Sequence, residues 1–371
     1  MFSPVYSVTA KLLASVSLIE RARGRIDAAR LTAEQAADLQ EQAELEMVVA
    51  SAGLSDHSLD RGQIEAILAG REVHARARAV TEVRNAKAGI EWARERQLDT
   101  SPLTLDDIRQ LHRVFTKDLA AEHESGVFRA GPAVIVHQYL GAVWGDYEAP
   151  PADVIEPRMS ALLRWLAGVG SDLHPVVAAG IAHQEITSIR PFMLGTGQIG
   201  RLVSRIALGQ HGYSFHNGLA LGSYYLANRT AYHAALDNGA TYLERARASC
   251  DQWLDFYLRG LLNEVDRLTA TIAAFKVEGF APAAGTLRRD EASLLAFAHE
   301  YGSLTKHDAA SILSPLPGRL VAKRLAAMVE AGELVEDASA GQVRYRLPPG
   351  LNAPAKAHSQ PFPPAPDLGR K

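Results

Sequence analysis

The stretch Arg190-Pro191-Phe192-Met193-Leu194-Gly195-Thr196-Gly197-Gln198-Ile199-Gly200-Arg201 decides how the rest of the chain is read. Three glycines fall within six residues, and an amphipathic run, Leu202-Val203-Ser204-Arg205-Ile206-Ala207-Leu208, follows at once. A glycine-rich turn that opens a helix presents unpaired backbone N–H groups and the positive end of the helix dipole, which together make an anion site. Gly195-x-Gly197-x-x-Gly200 also matches the dinucleotide-binding pattern letter for letter. That pattern needs a strand ahead of it and a βαβ unit around it. Here Val176 to His183 reads as helix, so the dinucleotide reading is rejected.

Outward from this turn the chain reads as mainly α. Towards the N-terminus, Pro175 to Ile189 is a predominantly apolar helix, hence central, and Glu156 to Gly168 is another with Met159, Leu162, Leu163 and Leu166 inward. Between them and Leu105 to Leu119, a helix opened by Thr104, lie two short β-rich runs. Gly126-Val127-Phe128-Arg129 and Val134-Ile135-Val136 are bounded by Gly and Pro and predict a hairpin. Earlier helices are expected over 5–30 with a cap at Thr9, from Thr32 to about Ala52, from Asp60 to Gly70 and over 71–97. Beyond the turn, two or three helices carry Tyr224, Tyr225, Tyr232, Trp253 and Phe256 to about Phe275.

Residues 276–285 read as a linker. The segment 286–350 that follows has the order of a winged helix-turn-helix: a helix, a short helix opened by Thr305, a helix from Arg319, then two strands joined at 338–341. Arg319, Lys323 and Arg324 fall on the recognition-helix position and Arg344 and Arg346 on the wing, as DNA contact requires. Against that stands the balance of eight Lys and Arg with eight Asp and Glu over 286–350, a poor anchor for phosphates. The tail, 351–371, is rich in Pro and is expected to be disordered.

The totals narrow the class. At 371 residues and 47% hydrophobic, the chain has room for two domains and a sizeable core. A net charge of -3 argues against a binder of bulk polyanions. One cysteine, Cys250, excludes an internal disulfide and a cysteine-based zinc cluster. No apolar run reads as a membrane span, and the N-terminus does not read as a secretory signal, so a cytoplasmic location is the default expectation. His137, His183 and Glu185 fit no metal-binding spacing, and His183 reads as structural.

The helix, loop and helix around the glycine turn resemble the Fic family, over roughly residues 5–260. Its loop has the form His-Pro-Phe-x-Asp/Glu-Gly-Asn-Gly-Arg-x-x-Arg, and this chain keeps Pro191, Phe192, Gly195, Gly197 and the last arginine as Arg201. The resemblance implies a Fic-type helical core over 101–275 with a β-hairpin flap. Val134, Ile135 and Val136 would hold a protein target there by strand addition. It implies transfer of AMP from ATP to a protein hydroxyl as the ancestral activity, and a homodimer as the assembly.

The departures fall on the chemistry. Arg190 stands where the family's histidine deprotonates the target, and an arginine stays protonated at neutral pH. Leu194 replaces the carboxylate that holds Mg²⁺ and offers no oxygen ligand, so Mg²⁺ is not expected. Thr196 replaces the asparagine, and Gln198 replaces an arginine that grips a phosphate. In the N-terminal region, 1–100, many relatives carry an inhibitory helix whose glutamate pairs with that loop arginine. Ser51 to Asp56 occupies the matching place, with Ser55 at the glutamate position, so both partners of that brake are changed. The expected anion or nucleotide site is therefore Arg190, Gly195, Thr196, Gly197, Gln198, Gly200 and Arg201. Three functions remain open: a regulatory or scaffolding protein that has lost AMP transfer, an enzyme reusing the pocket on an anionic small molecule, and a ligand-sensing DNA-binding regulator.

Overall fold

A computed structural model of the chain describes residues 2–55, 59–139, 142–168, 173–278, 289–313, 318–337 and 343–348. Side chains are described for all of these except 134–139, 142–146, 276–278, 289–290, 292 and 318–320. The chain divides into two compact units, Met1–Thr269 and Ala270–Lys371.

The first unit is helical with one hairpin. Helix α1 (Ala10–Asp27) starts where the Thr9 hydroxyl accepts the Leu12 N–H, as the sequence suggested. Helix α2 (Ala33–Leu54) and α3 (Arg61–Leu68) open on capping boxes, Thr32 with Gln35 and Asp60 with Gln63. Such reciprocal bonds satisfy donors that the first helical turn otherwise leaves orphaned. Helix α4 spans Ala77–Arg96, and α5 spans Leu105–Thr116, opened by the Thr104–Asp107 box.

The hairpin is β1 (Val134–Tyr139) against β2 (Ala142–Glu148), antiparallel, with a register shift between Val136 and His137. The expected pairing of 126–129 with 134–136 is corrected here. Residues 127–129 form no strand, and β1 pairs instead with residues after it, Val134 opposite Glu148 and Val136 opposite Asp146. The reason is that Arg129 is committed to another task, described below.

Helix α6 (Ile155–Ala167) and α7 (Pro175–Ile189) follow. Every residue of α7 from Val176 to Ile186 is buried, as its lack of a polar face predicted. It packs on α8 (Thr196–Gln210) so closely that a Cβ at Gly200 would lie 3.1 Å from the His183 ring. Four helices follow rather than two or three: α9 (Leu221–Ala227), α10 (Arg229–Leu236), α11 (Tyr242–Arg245) and α12 (Asp251–Glu278). Trp253 of α12 is fully buried and its indole N–H donates to the Gly180 carbonyl at 2.7 Å, fastening α12 to the middle of α7.

Helix α12 runs to Glu278, so it takes up the first residues of the expected linker; 279–288 lie outside the described residues. In the second unit, α13 (Arg289–Tyr301), β3 (Leu304–Thr305), α14 (Lys306–Ile312), α15 (Gly318–Glu330), β4 (Val335–Asp337) and β5 (Arg344–Arg346) enclose a core that includes Leu294, Leu325, Leu334 and Tyr345. The strands form an antiparallel sheet in the order β3-β5-β4. The expected tail, 351–371, and the strand connection at 338–341 lie outside the described residues.

Candidate functional site

The site forms where α7 gives way to α8. Helix α7 stops because Arg190 adopts the left-handed conformation, φ 46° and ψ 65°, and Pro191 follows it. A proline disfavours helical geometry in the residue before it. For a residue with a Cβ, the left-handed region costs about 1–2 kcal/mol, so something must hold it.

Arg129 does the holding. Its backbone N–H donates to the Pro191 carbonyl at 2.9 Å. Its guanidinium donates to the carbonyls of Arg190 at 2.7 Å, Gly131 at 2.7 Å, Pro150 at 2.5 Å and Ile189 at 3.4 Å. The side chain is 5% exposed and no carboxylate pairs with it among the described residues.

A second fastening comes from α5. The His112 ring stacks on the buried Phe192 ring, 3.7 Å between centroids and 5° from parallel. His112 Nδ1 accepts the Gly126 N–H at 2.9 Å, which places the ring proton on Nε2, from where it donates to the Leu194 carbonyl at 3.1 Å. Burial pushes the His112 pKa down to about 4, against the pull of the Leu194 carbonyl and with help from Arg113. Neither Arg129 nor His112 was recognised in the sequence as a site residue. Their targets are backbone atoms, which carry no side-chain signature.

Gly195, at φ 79° and ψ 0°, is the N-cap of α8 and brings no capping side chain. The N–H groups of Thr196, Gly197 and Gln198 therefore have no acceptor among the described residues. Among the described residues, and apart from the helix's own nearby backbone and its chain neighbours, the one atom within 4 Å of where a Gly197 Cβ would stand is an Arg201 guanidinium nitrogen, at 3.4 Å. The Thr196 hydroxyl is buried and donates to the Phe192 carbonyl at 3.0 Å, so it braces the loop and is turned away from any ligand. Its expected contribution reduces to its backbone N–H.

Gln198 Nε2 donates to the Ser55 hydroxyl at 2.9 Å. The two positions that match the brake of the relatives are thus in contact, joined by one neutral hydrogen bond. Both line a pocket of about 280 Å³ with Ser51, Arg78, Leu194 and Gly195.

The arginines do not gather as expected. Arg190 lies on the hairpin side, near Tyr147, Arg129 and Arg245. Burial lowers its pKa, Tyr147 opposes this, and Arg129 and Arg245 lower it further. Its Nε is buried and has no hydrogen-bond partner. Arg245 lies 3.6 Å over the Tyr147 ring and pairs with Asp237 at 2.8 Å. The Tyr147 hydroxyl donates to the Ser188 carbonyl. Arg201 lies elsewhere, near Tyr225 and Tyr232. Arg205 is buried.

The remaining candidates are placed as follows. His183 is fully buried with Nε2 3.1 Å from the Tyr232 hydroxyl, a structural role, and Glu185 accepts from the Tyr242 hydroxyl at 2.7 Å. Val134, Ile135 and Val136 lie on β1, and their side chains are outside the described set. In the second unit Arg324 pairs with Glu291 at 2.7 Å and Arg346 with Asp337 at 3.0 Å. Lys323 and Arg344 are exposed, Arg344 donating to the Ser303 hydroxyl at 3.3 Å. Arg319 lies on α15 with its side chain outside the described set.

Arg190 combines an unfavourable φ with a partly desolvated, unpaired guanidinium. Arg190→Gly is expected to stabilise the fold by about 1 kcal/mol, since glycine adopts the left-handed region freely, while weakening any anion bound at the loop. Chemical denaturation checks the first effect, and a loss of stability greater than about 1 kcal/mol would show that the guanidinium is structural.

Residues 102–208 match the model of the Fic/DOC family. That span runs from the start of α5 to near the end of α8 and so contains the hairpin, Arg129, His112 and the loop, though it is narrower than the 5–260 expected. Among solved structures, a Fic family protein from Desulfovibrio desulfuricans G20 matches with a TM-score of 0.62 at 24% identity, over 94% of this chain and 99% of that one. A Fic domain-containing signaling protein from Bacteroides thetaiotaomicron matches at 0.58 and 22%, over 74% and 100%. Fic-1 from C. elegans, residues 134–508, matches at 0.57 and 18%, over 72% and 74%.

Proposed function

We propose that this Fic-fold chain has lost AMP transfer and uses its loop as a binding site for an anionic ligand, in a regulatory or scaffolding role. The observation that carries the reading is Arg190. It occupies the base position with a cationic side chain, its Nε is buried and unpartnered, and no carboxylate pairs with it among the described residues. A protonated guanidinium cannot take a proton from a hydroxyl, but it binds phosphate or carboxylate well. The uncapped N–H groups at the start of α8 add to the attraction for an anion.

Mg²⁺ does not fit this donor set. Leu194 stands where the resemblance calls for a carboxylate, and its side chain has no oxygen to offer a hard cation. The Gln198–Ser55 hydrogen bond supports the same reading. A charged brake serves a reaction, and a neutral contact in its place fits a protein with no reaction to restrain.

Incubation with labelled ATP, Mg²⁺ and cell lysate is expected to transfer no label above background. Calorimetry with ATP is expected to give the same affinity with Mg²⁺ as with EDTA. Robust transfer that Arg190→Ala abolishes would overturn the proposal. DNA contact through the second unit is the weaker reading, because Arg324 and Arg346 are already neutralised by Glu291 and Asp337.

A further inference from the structure

Behind the first two turns of α8 lies a cavity of about 50 Å³ that the loop reading does not use. Its wall is mostly apolar, from α2, α4, α8 and α9, but it includes the side chains of Gln198, Arg201, Arg205 and Tyr225. No carboxylate lines it. Two arginines therefore line one partly open space whose wall carries no acid.

Arg205 is the more constrained of the two. It is 8% exposed and donates to the carbonyls of Leu219 at 2.5 Å and Asn217 at 3.3 Å, and to the Met47 sulfur at 3.3 Å. These are neutral acceptors, and its Nε has none. Glu44 acts on it through space without forming an ion pair with it, and is itself paired with Arg94 at 3.2 Å and Lys87 at 4.0 Å. Burial pulls the Arg205 pKa down to about 10, so it remains a cation at neutral pH. Arg201, one helical turn earlier, forms no ion pair among the described residues and lies near the Tyr232 hydroxyl. The Tyr225 hydroxyl is a third polar group here, buried and without a partner.

A buried cation without an ion-paired carboxylate is costly, and buried polar atoms are nearly always satisfied. Water alone satisfies hydrogen bonds but does not offset charge. A cavity of this size has room for a few waters, at about 10–15 Å³ each, or for one small anion with a water. We infer that the cavity is a binding site for a small monovalent inorganic anion of the size of chloride, held between Arg201 and Arg205 with the Tyr225 hydroxyl as a further donor. The site is distinct from the α8 N-terminus: Arg201 and Arg205 come from the second and third turns and face α2 and α9. An anion there ties these three elements together, so its occupancy stabilises the fold that carries the loop.

The test uses the full chain in sodium chloride and in sodium gluconate at equal ionic strength, gluconate being too large for the cavity. Chloride is expected to raise Tm by about 3 °C for each tenfold increase above its dissociation constant, and gluconate is expected not to. Crystals soaked in sodium bromide are expected to show an anomalous peak between Arg201 and Arg205. Arg201→Met removes both effects, and Tyr225→Phe, which keeps the ring packing, weakens the chloride response several-fold. Equal Tm in the two salts with no bromide peak in the cavity overturns the site. So does a bromide peak confined to the first turn of α8, or one that persists in the cavity of Arg201→Met.

Discussion

Replacing Arg129 with alanine will destabilise the first unit by about 4 kcal/mol, a loss at the upper end of what single substitutions do. The side chain is buried and donates to four carbonyls drawn from three separated segments, at 131, 150 and 189–190. Each hydrogen bond from a charged donor contributes about 1.5–3 kcal/mol, and each buried carbonyl left unpaired costs about 1–3 kcal/mol. These terms do not add fully, because water entering the hole recovers part of them. Arg129→Lys will recover little, since one ammonium has three donors and cannot match the spread of a guanidinium. Urea denaturation at constant m-value measures the effect. A loss below about 1 kcal/mol would mean that the loop is held by its glycines and by Phe192 alone, and that Arg129 is a passenger. Because the same side chain fixes the Ile189 and Arg190 carbonyls, the variant is also expected to bind anions at the loop more weakly.

The second large effect is a loss of stability in acid that centres on His112. In the folded chain its pKa is pushed down to about 4, from the ordinary 6.5. Above pH 6.5 both folded and unfolded states hold the ring neutral, and the full stability is present. As pH falls from 6.5 towards 4 the unfolded chain binds a proton that the folded chain refuses, so stability drops throughout that window and levels off below it. The total from this residue is about 3 kcal/mol. His183, fully buried and lowered in the same direction, adds to the loss within the same window. The main reason at His112 is burial, and protonating Nδ1 would also break the bond it accepts from the Gly126 N–H. Stability measured between pH 7 and pH 4 should fall more steeply in the wild type than in His112→Gln, which titrates one group fewer. Parallel curves for the two proteins would remove His112 from the account.

Much of the fold was legible because its signals are local. Thr9, Thr32, Asp60, Thr104 and Thr305 each cap the helix that follows, by bonds that span three residues. The apolar run of α7 shows its burial without reference to any partner. The hairpin was misread for the opposite reason. Gly126 to Arg129 has strand-like composition, but Arg129 is taken by carbonyls up to 61 positions away, so the strand partner of β1 comes from 142–148 instead.

What the sequence determined by itself is the helix–glycine turn–helix unit and the identity of the residues that fill its loop, Arg190, Leu194 and Gln198 among them. Those are statements about residue identity, and no packing can change them. What only the tertiary structure decided is where the remaining charges go. Arg190, Arg201 and Arg205 lie within sixteen residues, yet one turns to Arg129, Arg245 and Tyr147, one to Tyr232, and one is buried on carbonyls at 217 and 219. A long charged side chain settles where desolvation is best offset by acceptors, and those acceptors come from helices far apart in the chain. For that reason the contact of Ser55 with Gln198, the clamp at Arg129 and the cavity behind α8 appear only once the chain is folded.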